Sequence, residues 1–271
     1  MIEKPPPGDN EEFWRNFLTY GSARERRNRA IYRRIPSNPR CRLCSAPFGG
    51  VGRPLMRAIG KQPSDANPNL CSACFTFINA NHGGAEIVLS MLFADVRGST
   101  GLAERMTAGE YRKLMDRFYD AAAGAIFAND GMLDKFVGDE VVAIFAPLLT
   151  LERHAECAVA AARGLMRATG HGSPDGPWLQ IGAGVHTGTA WMGAVGEGSH
   201  STITALGDAV NVAARLASLA KPGEILVTAN AAAAANLDLG HLPRQQLALR
   251  GKEQRTDVIS LLPGDPAASP T

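Results

Sequence analysis

The most informative feature of this sequence is what it lacks. Aromatic residues make up only 6% of its 271 residues, and no apolar run approaches the ~20 residues that a bilayer-spanning helix needs. The strongest run, residues 87–94, has the length of a buried strand. The opening is polar, acidic and proline-rich, without the apolar stretch of a secretory leader, so the expected compartment is the cytoplasm and no membrane partner is expected. Cysteine is scarce as well. Of five, four fall in two close pairs and Cys157 stands alone, a pattern of metal binding rather than of a disulfide framework. There is no internal repeat and no large net charge, the sum being +2.

What is present suffices for a core, since 45% of the residues are hydrophobic. The small net charge hides an asymmetry. Arg24, Arg26, Arg27, Arg29, Arg33, Arg34, Arg40 and Arg42 make the front basic, whereas the balance after Glu86 is acidic, and such a shift marks a module boundary. Residues 1–9 read as disordered, residues 10–85 as a helix plus a small Cys module, residues 86–262 as the main domain, and residues 263–271 as a flexible tail. One helix is predicted over 10–34, aromatic in its first half and arginine-rich in its second, ended by Pro36 and Pro39. Strands are predicted at 87–94, 131–136, 141–145, 224–227, 246–249 and 257–262, with a hairpin over 179–195 turning at His186-Thr187-Gly188. Thr107 and Glu110 have capping-box spacing ahead of a helix, and further helices are predicted at 152–169 and 209–219. This order suggests an α/β or α+β sandwich with helices on a mixed sheet.

Asp95 ends an almost wholly apolar strand, where a charge must be exposed or paired. The residues after it, Val96, Arg97, Gly98, Ser99 and Thr100, can turn into a helix whose free N–H groups suit phosphate oxygens. Asp139 sits in a tight turn between two apolar strands, and two such turns brought together offer paired carboxylates to a hard cation. Asn211 and Arg215 are four apart and so share one helix face. Cys157, at helical spacing with Ala160, Ala161 and Leu165, reads as core, and His186 as a turn and packing residue.

Four segments occur in order: Phe93-Ala-Asp95-Val-Arg-Gly-Ser-Thr100, Lys135-Phe-Val-Gly-Asp139-Glu140, His186-Thr-Gly188, and Thr204-Ala-Leu-Gly-Asp208-Ala-Val-Asn211-Val-Ala-Ala-Arg215-Leu216. Together they resemble the class III adenylate/guanylate cyclase catalytic domain over roughly residues 87–262. The Gly-Asp-Glu turn alone is also similar to diguanylate cyclases, which share a related palm-like, ferredoxin-like sheet. The class III resemblance selects the α+β fold with flanking helices. It implies that Asp95, Val96 and Asp139 hold two Mg²⁺ or Mn²⁺ ions for in-line attack of a ribose 3′-hydroxyl on the α-phosphate. It implies that Asn211 orients the ribose and Arg215 stabilises charge developing on the α-phosphate. Lys135 and Thr204 match the base-selecting positions, with Thr202 close by. A Lys ammonium suits the acceptor at adenine N1 and faces a donor at guanine N1, so ATP is the expected substrate. Val96, Arg97, Gly98, Ser99 and Thr100 are the expected phosphate contacts, with a further contact from Arg250 or Lys252. A homodimer is implied, Asp95, Asp139 and Lys135 coming from one chain and Thr204, Asn211 and Arg215 from the other.

Cys41-Arg-Leu-Cys44 and Cys71-Ser-Ala-Cys74 form a separate signal. Two thiolates from each tight knuckle make a closed tetrahedral site, read as structural Zn²⁺ in a zinc-ribbon-like module ahead of iron, an Fe–S cluster or a redox pair. The arginines around it permit nucleic-acid binding, but the interleaved aromatics of a stacking surface are absent, so regulation or dimer support is the expected role.

Overall fold

The computed structural model describes residues 10–196, 201–238, 242–248, 255–263 and 265. The expected disorder at residues 1–9, most of the expected flexible tail, and Arg250 with Lys252 lie outside the described residues. The chain divides into two compact units. The first comprises Met1–Ile87, Ala146–Leu151 and Ala190–Leu206, and the second Val88–Phe145, Glu152–Thr189 and Gly207–Thr271. Among the described residues, no helix is long and apolar enough to cross a membrane.

The first unit opens with α1 (Asn10–Tyr20), α2 (Ala23–Arg33), α3 (Gly52–Ala58) and α4 (Ser72–Ala80). The single helix predicted over 10–34 is therefore two. The break falls at Gly21, whose φ is 55°, and its N–H bonds Phe17 O at 2.9 Å. A left-handed residue closes a helix, and a Cβ there would meet Leu148 Cδ1 at 2.7 Å, so glycine both permits the break and fits the space. Before the break, Trp14 and Leu18 are buried, and Phe17 packs on Phe77 of α4 with ring centroids 4.9 Å apart. After it, not every arginine faces solvent. Arg29 is buried and donates to Leu43 O, while Arg40 donates to Tyr32 O at 2.9 Å and Ser45 O at 3.3 Å. Guanidinium groups satisfy loop carbonyls that no strand or helix would pair.

The chain continues through β1 (Gly83–Val96), α5 (Ser99–Arg105), α6 (Ala108–Ala128), β2 (Met132–Val137), β3 (Glu140–Phe145) and α7 (Pro147–Thr150). Then come α8 (His154–Ala168), β4 (Ile181–Val195), β5 (Thr202–Leu206), α9 (Asp208–Leu219), β6 (Ile225–Thr228), α10 (Ala229–Ala234), β7 (Arg244–Leu247) and β8 (Thr256–Leu261). In the second unit the strand order is β2-β3-β1-β4-β6-β8-β7, with β1 antiparallel to β3 and β4 parallel to β6. This is the mixed sheet with flanking helices of the α+β class. Strand alternation serves both faces. Ile225 and Val227 join the large core under α6 and α8, which includes Phe118, Ile126, Leu165 and Phe145, while Leu226 meets Val212 and Leu216 of α9 on the other face. The capping box before α6 is formed, Thr107 N–H donating to Glu110 Oε2 at 2.9 Å and Glu110 N–H to Thr107 Oγ1 at 3.3 Å.

The predicted hairpin over 179–195 is instead one strand, β4, with His186-Thr187-Gly188 in its middle. The polar residues that suggested a turn are satisfied inside the second unit. Thr187 Oγ1 lies 2.6 Å from Ser90 Oγ, which lies 2.9 Å from His154 Nδ1, and His186 Nδ1 lies 2.9 Å from Thr228 Oγ1. Glycines in β4 let α9 approach closely: a Cβ on Gly184 would sit 2.4 Å from Ala217 N and 2.6 Å from Ala213 O. Gly184→Ala should therefore push α9 off the sheet and cost about 1–3 kcal/mol in urea unfolding. Gly124→Ala, where a Cβ in α6 meets nothing within 4 Å, should be neutral or stabilising by up to about 1 kcal/mol.

Candidate active site

The apolar run of β1 carries Asp95 to the strand's end, half-buried. The β2–β3 hairpin turns through Gly138, φ 60°, and Asp139. Because β3 pairs antiparallel with β1 and Asp95 lies opposite Glu140, that turn comes beside the end of β1. Val96 N–H donates to Asp139 O at 3.2 Å, closing the junction. The turn is braced from α6, where Tyr119 stacks on Phe136 with centroids 4.2 Å apart and donates its hydroxyl to Gly138 O. The two aspartates singled out from the sequence are thus brought together.

Their electrostatics follow from that crowding. Burial pushes the Asp95 carboxyl above its ordinary value, the Arg97 guanidinium pulls it down, and Asp139 pushes it up again. Glu140 is pushed up to about 7 by burial, then by Asp95 and Asp139, with Arg97 opposing. Sequence reasoning quoted Glu140 within the turn without giving it a role. Its signal was its place at the start of a strand, directly after Asp139. Asp95, Asp139 and Glu140 are thus close enough to act on one another, and paired carboxylates are the donor type that a hard cation takes.

Arg97 was expected among the phosphate contacts, but its own bonds are local. The side chain pairs with Asp95 and donates to Ser218 O at 2.9 Å and Ala220 O at 3.2 Å, at the C-terminal end of α9. Its N–H donates to Gln180 O at 2.8 Å. A cation at the carbonyl end of a helix is favourable, so one guanidinium joins the Asp95 turn to α9. α5 follows Gly98, which caps it with φ 67°, and its first turn leaves N–H groups outside the helix's own ladder at Ser99 and Thr100. On α9, Asn211 is exposed and Arg215 half-buried, one turn apart. Lys135 is on β2, half-exposed, 3.2 Å from the buried carboxylate of Asp134.

The first unit holds the remaining residues. Thr204 is buried on β5, opposite Gly193 of β4, and Thr202 lies two residues earlier on the same strand. The ligand atoms of Cys41, Cys44, Cys71 and Cys74 all lie within 4.8 Å of one another, a cluster able to hold a metal ion. Cys71 N–H donates to Cys41 Sγ at 3.3 Å, and Lys61 Nζ stands 3.8 Å from Cys44 Sγ. Cys157, in the second unit, packs at the edge of the large core.

The raised Glu140 gives a pH signature. Between its ordinary value of 4.5 and about 7, the folded form keeps a proton that the unfolded chain releases, so stability falls as pH rises through that window. In chelator-treated protein, melting temperature should therefore decline from pH 5 to 7.5. Glu140→Gln should flatten the decline, and a divalent cation added at pH 7.5 should raise the melting temperature of the unmutated chain.

Comparison with known proteins identifies the family. Residues 85–260, more than half of the chain, match the family described as the adenylate and guanylate cyclase catalytic domain. An uncharacterised protein of Mycobacterium tuberculosis is 33% identical over 178 residues, covering 64% of this chain and 33% of that protein. An adenylate cyclase of Anabaena cylindrica is 32% identical over 142 residues, covering 49% and 27% respectively. The chain thus spans about a third or less of the length of these relatives. Among solved structures, the guanylyl cyclase Cya2 superposes with a TM-score of 0.59 at 23% identity, covering 66% of this chain and 93% of that one. The adenylyl cyclase CyaB from P. aeruginosa gives 0.56 at 24% identity, covering 65% and 94%. The chain belongs to the adenylate and guanylate cyclase catalytic domain family.

Proposed function

We propose that this protein is an adenylate cyclase that converts ATP to 3′,5′-cyclic AMP and pyrophosphate, at sites completed by two copies of the chain. The observation that carries the reading is the meeting of Asp95 and Asp139 at the end of β1, in a chain that also presents Asn211 and Arg215 one turn apart on α9 for the partner copy's carboxylates. Divalent cations held by Asp95 and Asp139, with the Val96 carbonyl alongside, would neutralise triphosphate charge and acidify the ribose 3′-hydroxyl. In the reaction, the bond from the 3′-oxygen to the α-phosphorus forms as the bond from the α-phosphorus to the bridging oxygen breaks, the 3′-hydroxyl proton passes to solvent or to a substrate phosphate oxygen, and pyrophosphate leaves.

The chain's own residues orient and stabilise. The N–H groups of Gly98, Ser99 and Thr100 receive phosphate oxygens. Asn211 holds the ribose so that its 3′-oxygen stands in line with the leaving group. Arg215 donates to α-phosphate oxygens, where charge accumulates. Lys135 donates to adenine N1, and the Thr204 hydroxyl accepts from the 6-amino group, a pairing that guanine does not offer. Arg250 or Lys252 adds a cation to the triphosphate.

The Cys cluster is read as a zinc site in an accessory module, residues 10–85, ahead of the catalytic domain. Two Zn–S bonds of about 2.3 Å at the tetrahedral angle place sulfurs about 3.8 Å apart. Cys44 Sγ and Cys71 Sγ are separated by 3.7 Å. One equivalent of zinc per chain by elemental analysis is the expected result, falling well below one in Cys71→Ser. Iron, or no metal at all, would overturn the assignment.

Product analysis with ATP and GTP side by side tests the activity. Cyclic AMP should form with Mg²⁺ or Mn²⁺, and Asp139→Ala should lose at least about a hundredfold in kcat. A preference for GTP would sink the base assignment, and no product from either nucleotide would sink the enzymatic one. Asp95→Ala and Arg215→Ala should each be inactive, yet activity should return when the two are mixed, through the one site left intact. Two folded, subunit-exchanging variants that fail to rescue each other would remove the shared site.

A further inference from the structure

Strand β5 has little holding it. It lies off the main strand order and, among the described residues, pairs with β4, Thr202–Leu206 running against Trp191–Val195. A strand laddered along one edge has only half the usual hydrogen bonds to set its place. A second anchor lies just before it, at Ser201, which is fully buried. Ser201 Oγ is 2.7 Å from Asn79 Oδ1, and Ser201 O accepts from Asn67 Nδ2 at 3.2 Å. This is a clasp that uses the side chain and the backbone of one residue.

Both arms of the clasp grow from the second Cys pair. Asn67 stands four residues before Cys71 in a tight turn, its Oδ1 accepting from Asn69 N–H at 3.2 Å and its carbonyl from Leu70 N–H at 3.0 Å. Asn79 lies on α4, the helix that starts from Cys71 as its cap and carries Cys74. Cys71 N–H bonds Cys41 Sγ, and Arg42 N–H bonds Asn69 O at 3.0 Å, so the first pair is fastened to the same turn. Every one of these residues is in the first unit, as is Thr204. Thr204 follows Ser201 by three residues, about 10 Å along an extended strand.

We propose that Asn67, Asn79 and Ser201 are positioning residues that hold β5, and with it Thr204, in place for the nucleotide base, so that metal in the Cys cluster governs nucleotide affinity. The inference rests on the base-reading role given to Thr204 above. A group that only places a recognition strand contributes equally to ground-state and transition-state binding, so its loss appears in KM and base preference rather than in kcat. An intact cluster keeps both arms at their spacing. Loss of the metal frees the turn carrying Asn67 and the start of α4 together, and the strand loses both holds at once.

The test uses the full chain, unmutated and as Asn79→Ala, Asn79→Asp and Asn67→Ala, with circular dichroism to confirm folding. Asn79→Asp keeps the acceptor for the Ser201 hydroxyl. Asn79→Ala and Asn67→Ala should each raise KM for ATP by about three- to tenfold, the effect of one lost hydrogen bond. Both should narrow the preference for ATP over GTP and leave kcat within about twofold. Asn79→Asp should behave as the unmutated chain does. Amide hydrogen exchange over 202–206 provides a second readout that needs no turnover. It should quicken in both Ala variants and, in the unmutated chain, when a chelator strips the cluster. Unchanged exchange in the folded Ala variants would overturn the clasp, and quicker exchange with unchanged KM would overturn its link to the nucleotide. If the unmutated chain forms no cyclic nucleotide, the cyclase reading is what fails, and exchange still decides whether the cluster holds β5.

Discussion

Repulsion among Asp95, Asp139 and Glu140 is the constraint around which the second unit is arranged. An apolar strand delivers the first to its end, and the register that sets Asp95 against Glu140 brings the other two. Burial makes the crowding costly, which is why Asp95 and Glu140 both bind protons more tightly than exposed acids do. Arg97 lowers the proton affinity of both, and its guanidinium also grips the last carbonyls of α9. The charge that relieves the carboxylates therefore fixes the helix bearing Asn211 and Arg215. Acid cluster and helix are parts of one electrostatic arrangement, and the close approach at Gly184 lets α9 lie near enough to take part in it.

Much of this unit was legible because its signals are local. The capping box at Thr107 needs only four residues to declare itself, and the β2–β3 turn needs only Gly138 and Asp139 between two apolar runs. Strand bounds from period-two alternation came within a few residues for β2, β3 and β6. The failures share a cause. His186-Thr187-Gly188 has the composition of a turn, yet its polar atoms are met by Ser90 and Thr228, partners distant in sequence. Residues 10–34 have an unbroken helical pattern except for one glycine, and nothing local distinguishes a tolerated helical glycine from one at φ 55°. Arg29 and Arg40 looked like solvated charge because the carbonyls of Leu43 and Ser45 that they serve belong to a loop whose shape no pattern specifies.

The two candidate metal sites differ in the same way. Four thiols in two knuckles name their chemistry from spacing alone, since each knuckle supplies two ligands and the fold has only to bring two knuckles together. The carboxylate site draws on a strand end and a hairpin turn some forty residues apart. Each Asp is unremarkable by itself and becomes a site through strand pairing. Motif order could suggest the pair, but only the register of β1 with β3 supplies a reason for it.

Thr204 lies at the far end of this scale. Its residue type and its distance before Asn211 are readable, but its strand was not anticipated, because five short residues carry too little periodicity to stand out. What places that strand is also remote: Asn67 and Asn79 reach Ser201 across 134 and 122 residues of sequence. Contacts of that range come from the segment that carries the four clustered thiols, and they add to the ladder of β5 on β4. Thr204 thus draws part of its support from elements other than those that carry Lys135 and the carboxylates. On the proposal that Asn67 and Asn79 hold β5, nucleotide affinity is set from the thiol-bearing segment rather than from the turn that carries Asp95 and Asp139.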